Sequence, residues 1–477
     1  MNGEPLIVSL PAVLVGSLLA VAALTYLLRY WEQATALAGA LFAGGWGALL
    51  WQVDLAQPMW ILPGGRIWVD MGGSLARLGF TFRLEPGALP IIVASLLLVA
   101  AAFLIVACLS QGRSFVPFTL VLLAGYIALA LLITGPLAPP LLTPMVLVAL
   151  AALSIFVLQA GRLVSPAGPL RSLIPPVLAF PLFLVAAWYI EQIPLNPQDN
   201  SAAATAAQLM ALGLLLLLAP VPFHGAQPAV AQSAPPVVTA LLILLLELAL
   251  LHLLYRTAST FPFFQQFAPL RVWLNWLGLA TAVWGGLAAA GTHRVGRLWG
   301  YTALHDWGLI LLVLAVPGPR SWPLVLFLFG LRVVSMLTAA AGLSVLEQHT
   351  GGLTLEHLQG AGSRLAWNSA AFLLGGLGLA GFPLSAGFTG HWAALQIVAE
   401  LDWQPAAVVL LASGGAIFGY IRLARVLYGP LTNRALLRER PLNVGLAVVV
   451  LGLSIGLAVA PQWMDAPLSR ALLAFTG

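Results

Sequence analysis

Long apolar runs recur along the whole chain, and polar residues are concentrated between them. A helix needs about 20 consecutive apolar residues to cross the hydrocarbon core of a membrane. The runs are continuous and do not alternate as β-strands do, which predicts an all-α polytopic membrane protein. We predict about fourteen transmembrane helices, and this even number puts both termini on one side. The predicted spans are 5–29, 33–51, 88–110, 115–134, 141–160, 173–191, 203–221, 236–256, 271–291, 299–316, 322–345, 366–388, 404–428 and 441–461.

Two of the predicted spans are interrupted. The seventh contains Pro220 and Pro222 near its end, and the twelfth contains Gly381 and Pro383. Proline removes a backbone donor and clashes with the preceding turn, so each helix should break there. If spans four to eight and nine to thirteen are two units, each break falls on the fourth member. Matching breaks indicate an inverted-repeat transporter, although proline and glycine also occur in membrane helices without such a role.

This pattern predicts four regions. The first three helices and an external loop occupy 1–110, and two inverted five-helix repeats occupy 111–260 and 261–430. The remaining residues, 431–477, hold the last transmembrane helix. The long early loop contains R-I-W-V-D-M and L-G-F-T-F-R-L around a Gly-Gly pair, which predicts a short β-hairpin with its turn at the two glycines.

Composition and charge support a membrane location and suggest an orientation. Hydrophobic residues make up 61% of the chain and charged residues 7%, a balance that a soluble domain does not have. All 20 Lys+Arg positions are arginine. Ten arginines fall in loops after odd-numbered spans and six in loops after even-numbered spans. The positive-inside rule then puts the odd loops in the cytoplasm and both termini outside. The net charge of +5 is explained by arginines near lipid headgroups, not by nucleic-acid binding.

Few ionisable residues lie inside the spans. A charged side chain at the bilayer centre costs roughly 2.5–3.5 kcal/mol by insertion scales, so such residues normally face the protein interior and have partners. Glu247 stands alone in about twenty apolar residues. It is either a proton-loading site, or a structural group that is a neutral carboxylic acid or part of an ion pair that locks two helices. The candidates for a proton pathway are Glu247, His391, Arg332, His305, Asp306 and His224.

The other candidates have two interpretations each. Arg332 cannot deprotonate, so we expect it to hold an anion, either Glu247 or a carboxylate of a neighbouring subunit. His305 and Asp306 near the start of the tenth span form either a proton-entry relay or an interfacial anchor, with Arg294, Arg297 or water as partners. His391 is a titrating group or a packing histidine. His252 is five residues from Glu247 and on another helical face, which favours a structural role.

Several motifs together resemble the antiporter-like subunits of respiratory complex I and the related Mrp antiporters, and most closely the N-type subunit. They occur in the family's order over nearly the whole chain. The similar stretches are F-R-L-E at 82–85, V-P-F-H at 221–224, A-P-P-V-V-T-A-L at 234–241, R-L-W-G-Y-T at 297–302, L-A-G-F-P-L-S-A-G-F at 379–388 and I-R-L at 421–423.

The resemblance implies a proton route of buried lysine and glutamate, and this chain departs from it. The fifth-helix glutamate position falls on Met145 and the seventh-helix lysine position on Leu217. The lysine positions of the eighth, eleventh and twelfth helices fall on Glu247, Arg332 and His391. A partly degenerate proton channel is therefore expected.

The resemblance implies a non-redox subunit of a proton-translocating NADH:quinone oxidoreductase in a bacterial inner membrane. No cofactor or metal is expected on this chain. Partner membrane-arm subunits and lipids would surround it, quinone would act indirectly, and partners would carry FMN and iron–sulfur clusters. The alternatives are a non-pumping scaffold in the same complex, or a membrane subunit of an Mrp antiporter, a membrane-bound hydrogenase or an inorganic-carbon uptake complex.

Overall fold

The computed structural model describes residues 6–52, 59–61, 67–159, 167–195, 200–430 and 439–476. Four arginines used for the orientation, Arg66, Arg162, Arg434 and Arg438, lie outside these ranges. The described chain is mostly helical. Its helices are α1 (Leu10–Leu27), α2 (Glu32–Gln52), α3 (Leu89–Cys108), α4 (Phe115–Leu131), α5 (Pro139–Gln159), α6 (Ala167–Arg171), α7 (Ile174–Gln192), α8 (Ser201–Leu218), α9 (Ala226–Ser233), α10 (Pro236–Thr260), α11 (Pro262–Gln265), α12 (Ala268–Gly291), α13 (Val295–Ala315), α14 (Ser321–Thr350), α15 (Leu355–Leu358), α16 (Ala366–Leu379), α17 (Phe388–Leu401), α18 (Trp403–Leu427), α19 (Pro441–Val459) and α20 (Asp465–Thr476).

Among the described residues, twelve helical segments are long and apolar enough to cross a membrane. Two further apolar helices, α4 and α16, are shorter. All-α polytopic architecture is therefore confirmed, whereas the number of fourteen crossings and the four-region division stay predictions. Many helices begin with proline in their first turn, as α3, α10 and α19 do. Proline is tolerated there because the first backbone N–H groups have no helical partner.

Both predicted helix breaks are present. The seventh span ends as a helix at Leu218 and resumes as α9, and the twelfth ends at Leu379 and resumes as α17. Ala219 and Gly381, each at the start of a break, have positive φ angles of 47° and 71°. The chain therefore turns out of the helix directly before Pro220 and Pro222 in one case, and before Pro383 in the other.

The strands lie between helices on one face, which we call the hairpin face. Strands β1 (Leu6–Ser9), β2 (Met59–Ile61) and β3 (Ile67–Asp70) form one sheet, and β4 (Leu75–Arg77), β5 (Phe80–Phe82) and β6 (Leu132–Thr134) form another. Because β1 precedes it, α1 begins at Leu10 and not at residue 5.

A hairpin is present in the predicted loop, but the predicted pairing is wrong. Strand β3 pairs with β1 and β2, and the hairpin is β4–β5. Its turn is formed by Leu78 and Gly79, with φ angles of 53° and 80°. Two consecutive positive φ angles match the twist of a two-residue hairpin. The predicted turn residue Gly72 instead donates its N–H to Asp70 Oδ1 at 3.1 Å.

Glycine allows close packing between α12 and α13 at the centre of the second half. A β-carbon at Gly285 would overlap the backbone nitrogen of His305, and one at Gly308 would overlap Ala282. Small residues let membrane helices approach closely. This contact brings the carbonyl of Ala282 to the His305 side chain.

Candidate functional site

Arg332 lies within α14 and bonds to two carboxylates from two other helices. Its Nε donates to Glu247 Oε2 at 2.7 Å, and its Nη2 donates to Glu247 Oε1 at 2.6 Å. Its Nη1 donates to Asp306 Oδ2 and to the carbonyl oxygen of Ala303, both at 2.7 Å. The predicted pairing of Arg332 with Glu247 is confirmed, and Asp306 is a second anion.

All three ionisable groups are buried near the middle of their helices. Glu247, Asp306 and Arg332 are 5%, 3% and 1% exposed. With both carboxylates ionised, two negative charges face one positive charge, which leaves one negative charge in excess. A buried uncompensated charge is strongly unfavourable. The cluster therefore favours one additional positive charge, held as a proton either on a carboxylate or on a neighbouring group.

His391 occupies the position where that charge can be placed. It lies in the first turn of α17, directly after the second break, and is buried. Its Nδ1 is 3.1 Å from the carbonyl oxygen of Gly387, which can only accept, so Nδ1 carries the hydrogen in that bond. Its Nε2 faces Asp306 Oδ1 at 3.5 Å. In neutral His391 two acceptors then face each other, and one proton added to Nε2 makes them complementary.

His305 continues the series of buried polar groups from His391 to α18. The two imidazole rings lie 24° from parallel with centroids 6.1 Å apart. His305 Nδ1 is 2.7 Å from the carbonyl oxygen of Ala282, and Nε2 is 2.9 Å from Ser413 Oγ. Ser413 Oγ is also 3.2 Å from the carbonyl oxygen of Val409.

The Ser413 hydroxyl can accommodate either protonation state of His305. Its hydrogen can point to Nε2 of a neutral imidazole, or to Val409 while the oxygen accepts from a protonated one. Adding a proton to His305 therefore requires only the rotation of one hydroxyl. We call Glu247, Arg332, Asp306, His391 and His305 the central network.

Comparison with known proteins agrees with this architecture. Residues 182–419 match the family described as NADH:quinone oxidoreductase/Mrp antiporter, transmembrane. The chain belongs to this family. One relative, NADH-quinone oxidoreductase subunit N of Parafrankia sp. (strain EAN1pec), is 29% identical over 282 residues, covering 56% of this chain and 51% of the relative. The protein of the same name from Mycobacterium tuberculosis (strain ATCC 25618 / H37Rv) is 27% identical over 47% of this chain and 43% of the relative. The chain thus spans about half the length of the curated relatives it matches.

Solved structures share the fold over almost the full chain. A chain of an archaeal membrane-bound sulfane sulfur reductase has a TM-score of 0.76 and 18% identity, covering 98% of this chain and 97% of that one. A chain of the Mrp complex from Dietzia sp. DQ12-45-1b has a TM-score of 0.72 and 17% identity, with coverages of 98% and 96%. A chain of respiratory complex I from Thermus thermophilus has a TM-score of 0.70 and 19% identity, with coverages of 97% and 100%. At these identities the likeness establishes the fold.

The structure corrects the interpretation of His305 and Asp306 as an interfacial anchor. Both are buried near the middle of α13, and Asp306 bonds to Arg332. Neither of the expected arginines is bonded to them among the described hydrogen bonds. Arg294 lies directly before the first residue of α13, where its backbone pairs with that of Thr354. The prediction failed because α13 begins four residues before the predicted span.

Two histidines that the sequence analysis considered, His224 and His252, lie outside the central network. His224 is half-buried in the first break, and its ring packs at 69° against Trp284 with centroids 6.0 Å apart. Among the described residues, no hydrogen bond joins His224 to the central network. Its candidate role in a proton pathway stays a prediction. His252 faces a separate cavity, beside α3, α4 and α5.

Beside Glu247 lies a mostly apolar cavity of about 110 Å³, between α5, α7, α8, α9 and α10. Leu217, at the predicted position of the family's lysine, lines this cavity. Met145 does not, because its side chain is 55% exposed on α5. Ser154 lines the cavity and lies nine residues on, about 180° around the helix. Met145 is therefore not the counterpart of a buried glutamate. Neither α5 nor α8 contains a charged residue, so the family's ion pair is absent in any register.

Side chains that the sequence analysis did not single out hold the breaks and the network in place. Trp307 Nε1 donates to the carbonyl oxygen of Leu218 at 2.9 Å, which satisfies a carbonyl left free by the end of α8. The Val221 N–H donates to Thr281 Oγ1 at 2.9 Å. Ser413 was missed as well, since a serine among small residues in a membrane helix gives no signal in hydropathy. The partners of freed backbone groups depend on tertiary packing.

Proposed function

We propose that this chain is a membrane-arm subunit of a proton-translocating NADH:quinone oxidoreductase and that its central network holds and relays one proton. The observation that carries the proposal is the pair of facing acceptors, His391 Nε2 and Asp306 Oδ1, 3.5 Å apart. His391 lies directly after a broken helix, and Asp306 belongs to a cluster of two carboxylates around one guanidinium. One proton bound between these two atoms gives them a donor and an acceptor and adds one positive charge to the cluster.

Arg332 acts in this proposal as a fixed charge. It keeps its proton at any accessible pH and links the two carboxylates through one guanidinium. Protonation of Glu247 weakens its ion pair with Arg332 and strengthens the ion pair between Arg332 and Asp306. Charge at one end of the network is thereby coupled to proton binding at His391. The proton moves on the carboxylates and imidazoles, not through the guanidinium.

His305 and Ser413 extend the relay toward α18. Their hydroxyl–imidazole contact at 2.9 Å exists for both protonation states of His305, so a proton can arrive and leave without helix movement. We assign the electron-transfer step to partner subunits that carry FMN and iron–sulfur clusters, with quinone acting outside this chain. We place the chain in a bacterial plasma membrane with both termini, and the hairpin face, outside.

Two observations favour a second candidate, a non-pumping scaffold of the same complex. Both oxygens of Glu247 are bonded to Arg332, as expected for a lock between α10 and α14. The space where the family holds its ion pair is mostly apolar here. A third candidate is a membrane subunit of an Mrp-type or sulfur-reducing complex, because solved chains from both share the fold.

The test uses the intact complex, isolated through an affinity tag on this chain and reconstituted into vesicles. Co-purifying flavin and iron–sulfur subunits with NADH:quinone activity are expected; cation antiport without these subunits would assign the chain to the third candidate. In the redox complex, Glu247→Gln should lower the number of protons translocated per electron pair. The matched control is Glu356→Gln, because Glu356 is an exposed carboxylate on α15. An unchanged ratio in Glu247→Gln would support the scaffold.

A further inference from the structure

A histidine outside the central network, His252, has buried ring nitrogens and lies toward the hairpin face. His252 is on α10, and both of its ring nitrogens are buried with no hydrogen-bond partner among the described residues. Buried polar atoms in folded proteins nearly always have a partner, either protein or ordered water. An imidazole with neither nitrogen bonded to protein therefore points to a small ligand.

A cavity of about 20 Å³ lies directly beside this ring, between α3, α4, α5 and α10. A cavity needs roughly 10–15 Å³ to hold one water molecule. A buried water molecule also needs two to four polar partners. Tyr126, Ser95 and Thr143 line the same cavity. Ser95 Oγ donates to Ile91 O at 2.8 Å, and Thr143 Oγ1 donates to Pro139 O at 3.0 Å, so both hydroxyl oxygens remain able to accept.

We infer that this cavity binds a water molecule that joins His252 to Tyr126 and forms a branch of the proton route between Glu247 and the hairpin face. The inference rests on the proposed function. Glu247 and His252 are five residues apart, which is about 7.5 Å along the axis and 140° around it. They cannot bond directly. Tyr126 lines both the small cavity and the larger one beside Glu247, so it connects the two.

Arg256 lies at the hairpin-face end of this branch. It lies four residues after His252 on the same face of α10, lines the small cavity, and donates from Nη1 to the carbonyl oxygen of Leu132 at 2.8 Å. Arg256 thereby fixes α10 to strand β6. A neutral imidazole has one donor and one acceptor nitrogen. His252 can therefore take a proton on one nitrogen and release one from the other.

The branch gives the first half of the molecule a route that does not need the missing ion pair. The side chains at Leu217 and Ser154 carry no imidazole, whereas the His252 ring can accept a proton on one nitrogen while it releases one from the other. Helices α5 and α8 contain no charged side chain. In this branch, His252 on α10 and Tyr126 on α4 supply the proton-exchanging groups instead.

The first measurement is structural and does not depend on transport. A density map of the intact complex that resolves ordered water should show a solvent peak within hydrogen-bond distance of a His252 nitrogen and the Tyr126 hydroxyl. In the His252→Leu variant the peak should be lost while α10 stays in place. A map that resolves ordered water elsewhere in the chain but shows none at this position would overturn the inference.

The second measurement compares proton translocation per electron pair in vesicles. His252→Leu and Tyr126→Phe should lose the same share of translocation as Glu247→Gln, with quinone reduction retained in uncoupled vesicles. His252→Gln keeps a donor and an acceptor but cannot relay a proton, so it should fail equally. The control is Thr257→Val, because Thr257 on α10 bonds to its own helix at Leu253 and lies outside the cavity.

The possible outcomes separate the inference from the function on which it rests. If Glu247→Gln lowers the ratio and His252→Leu does not, the branch is absent and the central network stands. If neither variant changes the number of protons translocated per electron pair, both the inference and the proposed function fail. Full translocation by His252→Gln would show that the side chain only positions water, and the relay would be rejected.

Discussion

Arg332 is the residue that bonds to both buried carboxylates, and we expect its removal to destabilise the protein. Breaking a buried ion pair by removing one partner destabilises a protein by about 3–5 kcal/mol, because it leaves a buried charge uncompensated. Arg332→Leu would leave Glu247 and Asp306 without their guanidinium. We therefore predict a marked fall in the thermal unfolding temperature of the solubilised protein.

The control for Arg332→Leu is an exposed ion pair in the same chain. Arg320 Nη2 lies 2.7 Å from Glu400 Oε2, and the two side chains are 71% and 54% exposed. Exposed pairs contribute about 0–1 kcal/mol, so Arg320→Leu should barely change the unfolding temperature. Equal effects of the two substitutions would contradict the importance of the buried cluster.

Gly381 is the residue that leaves room for His391. It has φ +71°, and a β-carbon there would lie 2.6 Å from Cγ of His391. Gly381→Ala should therefore be strained by about 1–2 kcal/mol and should displace the imidazole from Asp306. We expect reduced proton translocation and a lower unfolding temperature.

A helical glycine with open space provides the comparison. A β-carbon at Gly16 in α1 would meet no atom within 4 Å. Gly16→Ala should leave translocation unchanged and stabilise the helix by roughly 0.5–1 kcal/mol. Wild-type translocation in Gly381→Ala would show that the position of His391 is not critical.

At the scale of elements, the broken helices depend on side chains from their neighbours. Trp307→Phe removes the donor to the carbonyl oxygen of Leu218 and should cost about 1–3 kcal/mol, because that carbonyl is buried at the end of α8. Trp299, also buried on α13, has an Nε1 with no partner among the described residues. Trp299→Phe should therefore be the milder substitution by thermal unfolding. The reverse order would contradict this role of Trp307.

The sequence predicted the breaks because proline and glycine act locally, but it could not place the network. Pro220, Pro222 and Pro383 each remove a backbone donor and clash with the preceding turn, which disfavours a continuous helix. The position of Asp306 depended instead on where α13 begins, and that was misplaced by four residues. The hairpin was misassigned for a similar reason, since the Gly-Gly pair was a plausible turn and Leu78 at positive φ was not.

At the scale of the whole molecule, the buried polar groups lie at different positions from those that the family resemblance implies. The space beside Leu217 is mostly apolar, whereas polar contacts run from Glu247 through Arg332 and Asp306 to His391. Pairing of Arg332 with Glu247 was one of two alternatives inferred from charge alone. The inclusion of Asp306, and of Ser413 beside His305, required the packing of α13 against α12 and α18, for which one sequence contains no direct signal.

The central claim is that Glu247 and His391 belong to one proton route. It is tested most directly by a double-mutant cycle on the number of protons translocated per electron pair, measured in vesicles that contain the intact complex. Two residues in series should be non-additive. We predict that Glu247→Gln, His391→Leu and the double variant lose the same share of translocation. Additive losses, or unchanged translocation in either single variant, would contradict the account.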